Sequence, residues 1–306
     1  MASTGMPISI SGLLNKESTV YEMMDKRCDL HTHSNYSDGS LTPLELVRLA
    51  EKQGLSALAL TDHNTARGLK EFMEAGRNSD IITVAGCEFS TEWHEKEVHI
   101  VGLFFQEKDW VEIEDFLKLP LIAKHNSNLS LIDNLQKAGY DVTYEECAAM
   151  TDGQEFNRAH VARSLVSKAY FATVADCFDT VLKDGGDFYH HAKKTSSTAA
   201  IRFIREYGAV AILAHPFLSL TYEELLEFLP EAKDAGLAAI ETRYTEFTPE
   251  ETELAVSLAE RFDLKQSGGS DFHGAAKPDI ALGTGHGDLI VPFAFYEDLL
   301  SSAVRK

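Results

Sequence analysis

The sequence has no long apolar segment and no clear targeting signal. None of its 306 residues lies in an uninterrupted apolar stretch of about 18 residues, the length that a transmembrane helix needs. The first 26 residues contain no basic stretch followed by an apolar core. We therefore expect neither a transmembrane helix nor a secretory signal, and we expect residues 1–26 to form a polar leader.

Cysteine is also scarce. The four cysteines are widely scattered and form no C-x-x-C pair. They are Cys28, Cys87, Cys147 and Cys177. This spacing argues against a disulfide framework and against a zinc ribbon, and it predicts reduced thiols in a cytoplasmic protein.

Positive charge is the third shortage. The chain has 28 Lys and Arg against 48 Asp and Glu, which gives a formal net charge of −20. Long nucleic acid is bound through its phosphates by a basic surface, so we do not expect such binding here. A substrate that carries phosphate must instead be met locally, by a few basic side chains or by bound metal ions.

Short apolar runs alternate with amphipathic segments along much of the chain. The runs occupy residues 28–30, 57–60, 81–86, 98–105, 209–214, 237–241 and 264–270. Thr42 and Thr248 are each followed by Pro and, three residues later, by Glu, a pattern that predicts a capped helix start. Strands that alternate with helices predict an α/β protein with a mostly parallel sheet, either open or closed into a barrel.

This alternation is interrupted in the middle of the chain. Residues 106–192 contain mainly helical patterns and no strong strand run. We therefore expect an inserted helical lobe at 106–192 between the two parts of a core domain, residues 27–105 and 193–306.

Two histidines follow the first apolar run, in the segment DLHTHSNYSDGS at residues 29–40. His31 and His33 are two residues apart, and in a strand such residues point to the same side. They therefore offer two imidazoles to one point, as a metal site requires. A pair of ordinary polar loop residues is the alternative interpretation.

Potential metal ligands also follow nearly all of the remaining apolar runs. In barrel folds, side chains at the ends of the strands converge on one face. We therefore expect one cluster of His31, His33, Asp38, His63, Glu88, His99, His215, Asp271 and His273. Six imidazoles and three carboxylates suit two or three divalent ions with one carboxylate bridging, and ligands without thiolates favour Mn2+, Fe2+ or Zn2+. Glu241 is left outside this cluster, and Asp62 is expected either to orient an imidazole or to serve a turn.

Five segments, in order, resemble the motifs of the PHP (polymerase and histidinol phosphatase) superfamily of metal-dependent phosphoesterases. They are DLHTHSNYSDGS, ALTDHNT, GCEFST, AILAHPF and GGSDFHG, and the resemblance extends from about residue 27 to residue 290. It implies a distorted (β/α)7 barrel with a trinuclear metal centre. One ion would bind His31, His33, Glu88 and Asp271, a second would share Glu88 and add His99 and His215, and a third would bind Asp38, His63 and His273.

The resemblance also implies a mechanism. A hydroxide that bridges two metal ions would attack phosphorus in line with the leaving alcohol. Glu88, Asp271 and His215 are then expected to be catalytic, with Glu88 setting the distance between two ions. Asn64 stands where many relatives have Asp, but it is not one of the expected ligands.

Within the superfamily, the insertion and the segment NRAHVAR resemble a branch of nucleotide phosphatases. That branch includes 3′,5′-nucleotide bisphosphate phosphatases and 5′-to-3′ exoribonucleases that act on short oligonucleotides. The resemblance implies that Arg158 and His160 hold the substrate phosphate, at a helix N-terminus or in a loop. Arg243 is a further candidate for substrate contact, with a surface ion pair as its alternative.

Two other functions remain open. One is a phosphatase for a small metabolite such as histidinol phosphate, although a larger lobe favours a nucleotide because it offers room for a base. The other is a non-catalytic module, like the PHP domains attached to DNA polymerases. All nine expected ligand positions are filled, which argues against the second alternative.

Overall fold

The computed structural model describes residues 26–151, 156–190, 192 and 194–304. The predicted leader therefore lies outside the described residues, except for Lys26. The chain divides into two compact units. One unit consists of the residues up to Trp110 and from Ser197 onward, and the other consists of Val111–Ser196.

Strands form where the sequence carries its short apolar runs. Within the described residues they are β1 (Cys28–Asp29), β2 (Ala57–Leu60), β3 (Ile82–Trp93), β4 (Lys96–Leu103), β5 (Thr195–Ser196), β6 (Val210–Leu213), β7 (Ala239–Tyr244) and β8 (Lys265–Gly269). The two-residue strand β5 belongs to the second unit. Each of the other seven strands overlaps one of the seven predicted runs.

Helices occupy the segments between strands. They are α1 (Pro43–Lys52), α2 (Leu69–Gly76), α3 (Trp110–Lys137), α4 (Tyr144–Ala148), α5 (Arg158–Ser167), α6 (Val174–Asp179), α7 (Ser197–Glu206), α8 (Pro216–Ser219), α9 (Tyr222–Ala235), α10 (Pro249–Arg261) and α11 (Phe293–Ser302), with 3-10 turns at Glu107–Asp109 and Gly274–Ala276. Thr42 and Thr248 form the capping boxes of α1 and α10, so both predicted helix starts are confirmed. No helix of the described residues has the length and apolar character needed to cross a membrane.

The seven strands of the first unit form one sheet in the order β1-β2-β3-β4-β6-β7-β8. Neighbouring strands are parallel, except that β4 is antiparallel to both β3 and β6. The two edges of the sheet meet, because the Leu30 N–H donates to Gly268 O (3.2 Å) and the Asp271 N–H donates to His31 O (2.9 Å). The prediction of a distorted seven-stranded barrel is therefore confirmed.

The interior of this barrel is filled by small and branched apolar side chains. Its buried members are Cys28, Leu30, Ala57, Ala59, Val84, Val101, Leu103, Val210, Ile212, Ala214 and Ala239, packed with Leu289, Val291 and Leu299 from the C-terminal segment. Where a strand supplies more than one of these side chains, they come from alternate residues, as the two-residue period of a strand requires. The other face of the strands is also covered, so that all four residues of β2 and of β6 are buried.

The second unit has a core of its own. Its buried apolar residues come from the end of α3, from α4, α5 and α6, and from the segments between them. Phe156, Leu165 and Cys177 are among those that are fully buried. This unit therefore has the apolar interior that a packed helical lobe needs.

Candidate metal centre

The interior of the barrel changes from apolar to polar along its axis. On β3, Val84 faces the core, and Glu88 lies four residues further on the same side. On β4, Val101 faces the core and His99 precedes it by two residues. Because β4 is antiparallel to β3, these two polar side chains reach the same end of the barrel. Glu88 therefore lies inside a long strand, not at the strand end that the sequence suggested.

The other candidate ligands come from segments that directly follow strands. His31 and His33 follow β1, His63 follows β2, His215 follows β6, and Asp271 and His273 follow β8. Two of these residues have an uncommon backbone, with φ angles of 26° at His215 and 54° at Asp271. Residues other than glycine rarely adopt positive φ, and such positions occur often at functional sites.

Glu88 lies at the centre of the cluster and is fully buried. Three imidazole nitrogens surround its Oε2 atom, and two lie near its Oε1 atom. The Oε2 distances are 3.2 Å to His31 Nε2, 3.2 Å to His33 Nε2 and 3.0 Å to His63 Nδ1, and the Oε1 distances are 2.8 Å to His99 Nδ1 and 3.1 Å to His215 Nε2. One carboxylate thus faces five imidazoles through both oxygens, as a bridging metal ligand would.

Asp271 lies beside the first pair of histidines. Its Oδ1 atom is 3.1 Å from His33 Nε2 and 3.6 Å from His31 Nε2. Its Oδ2 atom accepts hydrogen bonds from the Tyr244 hydroxyl (3.0 Å) and the Lys277 ammonium group (2.7 Å). The sequence interpretation did not include Tyr244 or Lys277. It searched for His, Asp and Glu at the ends of apolar runs, and these two residues do not meet that criterion. The side chain of Lys277 is 38% exposed and supplies positive charge next to the cluster.

Asp38 lies at the solvent side of the cluster, with its side chain 56% exposed. Its Oδ1 atom is 3.2 Å from His273 Nε2, and its Oδ2 atom is 3.8 Å from His63 Nε2. The His273 Nδ1 atom is 2.8 Å from the main-chain oxygen of Asp271, to which only a protonated Nδ1 can donate. The lone pair of His273 therefore lies on Nε2, the atom that faces Asp38.

The structure thus brings all nine predicted ligands together. Three sets of their nitrogen and oxygen atoms could each hold an ion, with the atoms of a set within 4.8 Å of one another. The sets are His31, His33, Glu88 and Asp271; His33, Asp38, His63 and His273; and His63, Glu88 and His99. The first coincides with the first set that the family resemblance implied, and the second contains the whole implied third set. In the last set His63 stands where His215 was expected, although His215 also contacts Glu88.

Several buried polar atoms of the cluster have no hydrogen-bond partner among the described residues. They are Nε2 of His31 and His33, Nδ1 of His63 and His215, and Oε2 of Glu88. Buried polar atoms without partners are rare in folded proteins. Their convergence, together with the nitrogen and oxygen donor set, fits divalent metal ions.

The charges of the cluster favour cations as well. Burial alone would raise the pKa of Glu88, but the surrounding His63, His31 and His99 hold it well below its usual range. Burial opposes a charged His33, yet the nearby Asp271 and Glu88 carboxylates raise the pKa of His33 to about 9. The Glu88 carboxylate is therefore held in its ionised form, the form that binds a metal ion.

Glu241, which the sequence interpretation left outside the cluster, is not a member of any of the three candidate ligand sets but contacts two of the histidines. The side chain is buried, and its Oε1 atom accepts a hydrogen bond from His31 Nδ1 (2.9 Å). Its Oε2 atom accepts a hydrogen bond from the main-chain N–H of His215 (2.6 Å). Glu241 lies two residues after the core residue Ala239 on β7, so the two-residue strand period could have placed it at the barrel mouth.

Asp62 contacts the turn after β1, which agrees with the expected turn role, and its predicted role in orienting an imidazole stays a prediction. Its carboxylate accepts hydrogen bonds from the Ser34 N–H (2.7 Å), the Ser34 hydroxyl (2.6 Å) and the Ser37 hydroxyl (2.6 Å). None of the hydrogen bonds described for this carboxylate reaches a ring nitrogen. It therefore fixes the loop that carries Asp38.

Arg243 does not share the face of Glu241, because a β-bulge interrupts β7 at this point. Glu241 pairs with Ser267, Arg243 pairs with the next residue Gly268, and Tyr244 pairs with Gly269. The extra residue moves Tyr244 onto the face of Glu241 and Arg243 onto the opposite one. Arg243 Nη1 donates to the main-chain oxygen of Thr242 (3.0 Å). The predicted contact of Arg243 with substrate therefore gains no support from this geometry.

Arg158 and His160 lie at the start of α5, in the second unit. Asn157 caps this helix and accepts a hydrogen bond from the Ala159 N–H, so the predicted helix N-terminus is confirmed. The Arg158 guanidinium donates to Leu182 O (2.9 Å) and lies over the ring of Tyr189, 4.5 Å from its centroid. Burial and the nearby positive charge of Arg163 lower the pKa of His160. Arg158 is thus a fixed cation that keeps further N–H donors for an anion.

Comparisons with known proteins agree with this fold. The model of the PHP domain family matches residues 29–212. A 5′-3′ exoribonuclease of Haemophilus influenzae is 34% identical over 251 residues, which cover 82% of this chain and 91% of that protein. This chain belongs to the PHP domain family. The relatives that align with about 80% of this chain are named as exoribonucleases, a nucleoside bisphosphate phosphatase or a cyclic phosphate diphosphodiesterase.

Two further relatives show the range of those names. A phosphoribosyl 1,2-cyclic phosphate 1,2-diphosphodiesterase of Eggerthella lenta is 31% identical and covers 80% of this chain and 94% of that protein. A 3′,5′-nucleoside bisphosphate phosphatase of Chromobacterium violaceum is 30% identical and covers 80% of this chain and 86% of that protein. Both act on small phosphate esters, as their names state.

Solved structures share the same architecture. An amidohydrolase of Chromobacterium violaceum with bound sulfate superposes with a TM-score of 0.72 at 26% identity, covering 91% of this chain and 98% of that one. A candidate metal-dependent phosphoesterase of Bifidobacterium adolescentis superposes with a TM-score of 0.73 at 24% identity, covering 92% and 98%. The second likeness supports the fold alone.

Proposed function

We propose that this chain is a metal-dependent phosphoesterase that hydrolyses phosphate monoesters of small nucleotides. The proposed substrates are 3′,5′-bisphosphonucleotides, nucleoside monophosphates and short 5′-phosphorylated oligonucleotides. The observation that carries this proposal is the cluster of nine potential ligands at the mouth of the barrel, with Glu88 at its centre. The names of the relatives support the nucleotide class. A net charge of −20 argues against long nucleic acid as the substrate.

The proposed cofactors are two or three divalent ions, Mn2+, Fe2+ or Zn2+. The proposed ligand sets are those that the family resemblance implied, with His33 and His63 close enough to join a neighbouring set. When bound, such ions lower the pKa of water and neutralise charge on the phosphoryl oxygens. Glu88 would hold neighbouring ions at a fixed spacing, because both of its oxygens face the cluster.

The barrel also supplies a positive side chain beside the cluster. Lys277 holds Asp271 from the solvent side, and Tyr244 donates to the same oxygen. Burial and the neighbouring Asp271 raise the pKa of Tyr244, so its hydroxyl remains a donor. We assign Lys277 the role of attracting the substrate phosphate, because its ammonium group is partly exposed while the Asp271 carboxylate below it is buried.

The second unit is the proposed substrate lobe, the role predicted for residues 106–192. Arg158 would bind one phosphate of the substrate through N–H donors not used by Leu182, and His160 would contact the same group. Their position in the first turn of α5 adds main-chain N–H groups that favour an anion.

A cyclic phosphodiester is the second candidate substrate, because the Eggerthella relative with that activity is as similar to this chain as the nucleotide enzymes are. Purified protein with Mn2+ should be tested with 3′-phosphoadenosine 5′-phosphate, AMP, a short 5′-phosphorylated RNA, phosphoribosyl 1,2-cyclic phosphate and histidinol phosphate. We expect release of phosphate from the nucleotides. Hydrolysis of histidinol phosphate alone would overturn the nucleotide assignment in favour of the small-metabolite alternative.

Two substitutions separate the metal centre from the lobe. His215→Ala should lower metal content and rate together, whereas His286→Ala, an exposed control, should change neither. Arg158→Ala should raise KM at constant metal content, because Arg158 lies in the lobe. Arg163→Ala, an exposed residue of the same helix, is its matched control. Unchanged kinetics of Arg158→Ala would remove this residue from the substrate site.

A further inference from the structure

Glu241 contacts two parts of the cluster at once. It is 1% exposed, and each of its two oxygens accepts a short hydrogen bond. Oε1 lies 2.9 Å from the His31 ring, and Oε2 lies 2.6 Å from the main-chain nitrogen of His215. His31 and His215 are far apart in sequence and follow different strands, β1 and β6. A single carboxylate on β7 therefore connects two segments that each carry a candidate ligand.

The first contact sets the tautomer of His31. A carboxylate can only accept, so the hydrogen bond to Oε1 requires a proton on His31 Nδ1. The neutral ring then carries its lone pair on Nε2. That atom faces Glu88 Oε2 at 3.2 Å and Asp271 Oδ1 at 3.6 Å, within one of the candidate ion sites. The contact thus turns the ligating nitrogen of His31 towards the cluster.

The second contact holds a strained backbone. His215 has φ 26° and ψ 59°, and it precedes Pro216, which disfavours helical conformations in the residue before it. Its N–H donates to Glu241 Oε2, which keeps the peptide at this position fixed. The ring of His215 can then reach Glu88 Oε1 at 3.1 Å.

We propose that Glu241 is a positioning residue of the metal centre, which aligns His31 through its ring and His215 through its backbone. This inference rests on the proposed metal centre, but not on the identity of the substrate. Glu241 binds no ion in this assignment. It acts through the two histidines.

Glutamine cannot replace the carboxylate, because it has one acceptor oxygen and one donor NH2 group. If the oxygen accepts from the His215 N–H, the NH2 group faces His31 Nδ1 and favours the tautomer with its proton on Nε2. If the oxygen accepts from His31 Nδ1, the NH2 group opposes the His215 N–H, donor against donor. Either arrangement disturbs one histidine.

The test measures metal binding directly. Wild type, Glu241→Gln and the control Glu246→Gln, an exposed carboxylate beyond the same strand, should be titrated with Zn2+ against a chromophoric chelator. We expect Glu241→Gln to bind Zn2+ about 10–100-fold more weakly, as is typical when a residue that orients a ligating histidine is replaced. Glu246→Gln should match wild type. Wild-type affinity in Glu241→Gln would overturn the proposal.

A spectroscopic readout excludes a merely structural role. In the zinc-loaded, 15N-histidine-labelled wild type, we expect a ring with a proton on Nδ1 that is absent in His31→Ala, and we expect this signal to shift or disappear in Glu241→Gln. An unchanged His31 signal would contradict the proposed mode of action. If Glu241→Gln does not fold, Glu241→Asp serves instead, since its shorter side chain cannot span both partners. Wild-type zinc affinity in Glu241→Asp would then overturn the proposal.

The outcome is separable from that of the proposed function. Hydrolysis of any phosphate ester of the panel by the wild type decides whether the chain is a phosphoesterase, whereas the difference in zinc affinity decides the role of Glu241. A wild type that binds no Zn2+ would overturn both the metal centre and this inference. A wild type that binds Zn2+ but hydrolyses none of the substrates would overturn only the function.

Discussion

Gly269 on β8 offers a direct test of how closely the barrel packs beneath the metal centre. A methyl group at this position would lie 2.4 Å from His31 Cβ and 2.5 Å from His31 N. Carbon atoms make ordinary contacts at about 3.5–4.0 Å, so the strand end carrying His31 must move by about 1 Å. That segment is held on both sides by the hydrogen bonds Leu30 N–H to Gly268 O and Asp271 N–H to His31 O.

Gly269→Ala should therefore weaken both the fold and metal binding. Overpacking of a tight interior costs about 1–3 kcal/mol, and we expect the upper part of this range because the overlapping atoms are backbone and Cβ. Urea denaturation measures the free energy of unfolding, and elemental analysis of dialysed protein measures metal content. The displacement of His31 should lower the metal content relative to wild type.

Gly139→Ala is the matched control. Gly139 has φ +91°, and no heavy atom lies within 4 Å of a methyl group built there. Alanine at this position costs about 1 kcal/mol of backbone strain without steric overlap, and the metal content should not change. If Gly269→Ala were as stable as Gly139→Ala and retained its metal, the argument from close packing at His31 would be refuted.

Three further predictions follow from the same contacts. Removal of metal with EDTA should lower Tm, because a bound ion stabilises the folded protein by about 2.7 kcal/mol when the free ion is present at 100-fold its Kd. A Tm that does not respond to EDTA would contradict the metal centre. Lys277→Met should raise KM several-fold at constant metal content in steady-state assays, because it removes the positive charge beside Asp271. If the metal content fell together with activity, Lys277 would act only by holding Asp271 in place. The four cysteines are buried free thiols, and burial beside Glu146 raises the pKa of Cys147 to about 11, so a thiol reagent at pH 8 should label none in the folded protein and four after denaturation. A rapidly labelled thiol in the folded protein would contradict this burial.

The sequence predicted most strands of the barrel, because both of their faces are covered and apolar runs mark such strands well. It did not predict the length of β3, which continues past Glu88 to Trp93 and pairs with β4 as a hairpin. The hairpin turn is formed by His94 and Glu95, both with positive φ. Glycine and asparagine are the usual residues for such turns, so the sequence carried no turn signal there.

The residues of the candidate site could be predicted where the residue type and its place after an apolar run were enough to mark a possible ligand. Histidines and carboxylates after apolar runs were counted as ligands, and the structure brings all nine of them together. The sequence interpretation omitted Glu241, because no sequence pattern marks a residue that would act by orienting a ligand. Its position two residues after Ala239 could nevertheless have placed it at the barrel mouth. The contact of Arg243 with substrate stays a prediction, because a β-bulge, which no residue type in β7 indicates, reverses the alternation of faces between Glu241 and Arg243.

The position of each carboxylate in the barrel explains what it can do. Glu88 is fully buried and faces five imidazoles, so bulk water does not solvate its charge. Protons or metal ions must balance this charge. Asp38 is more than half exposed and lies at the opening, where a ligand can exchange with solvent. Glu241 is almost as buried as Glu88, but each of its oxygens already accepts a hydrogen bond, at 2.9 and 2.6 Å. The cluster therefore combines a buried carboxylate that faces five imidazoles, an exposed carboxylate at the opening and a third carboxylate that contacts two histidines. This arrangement suits the proposed metal centre, in which a rigid barrel would hold ions for a substrate that enters and leaves.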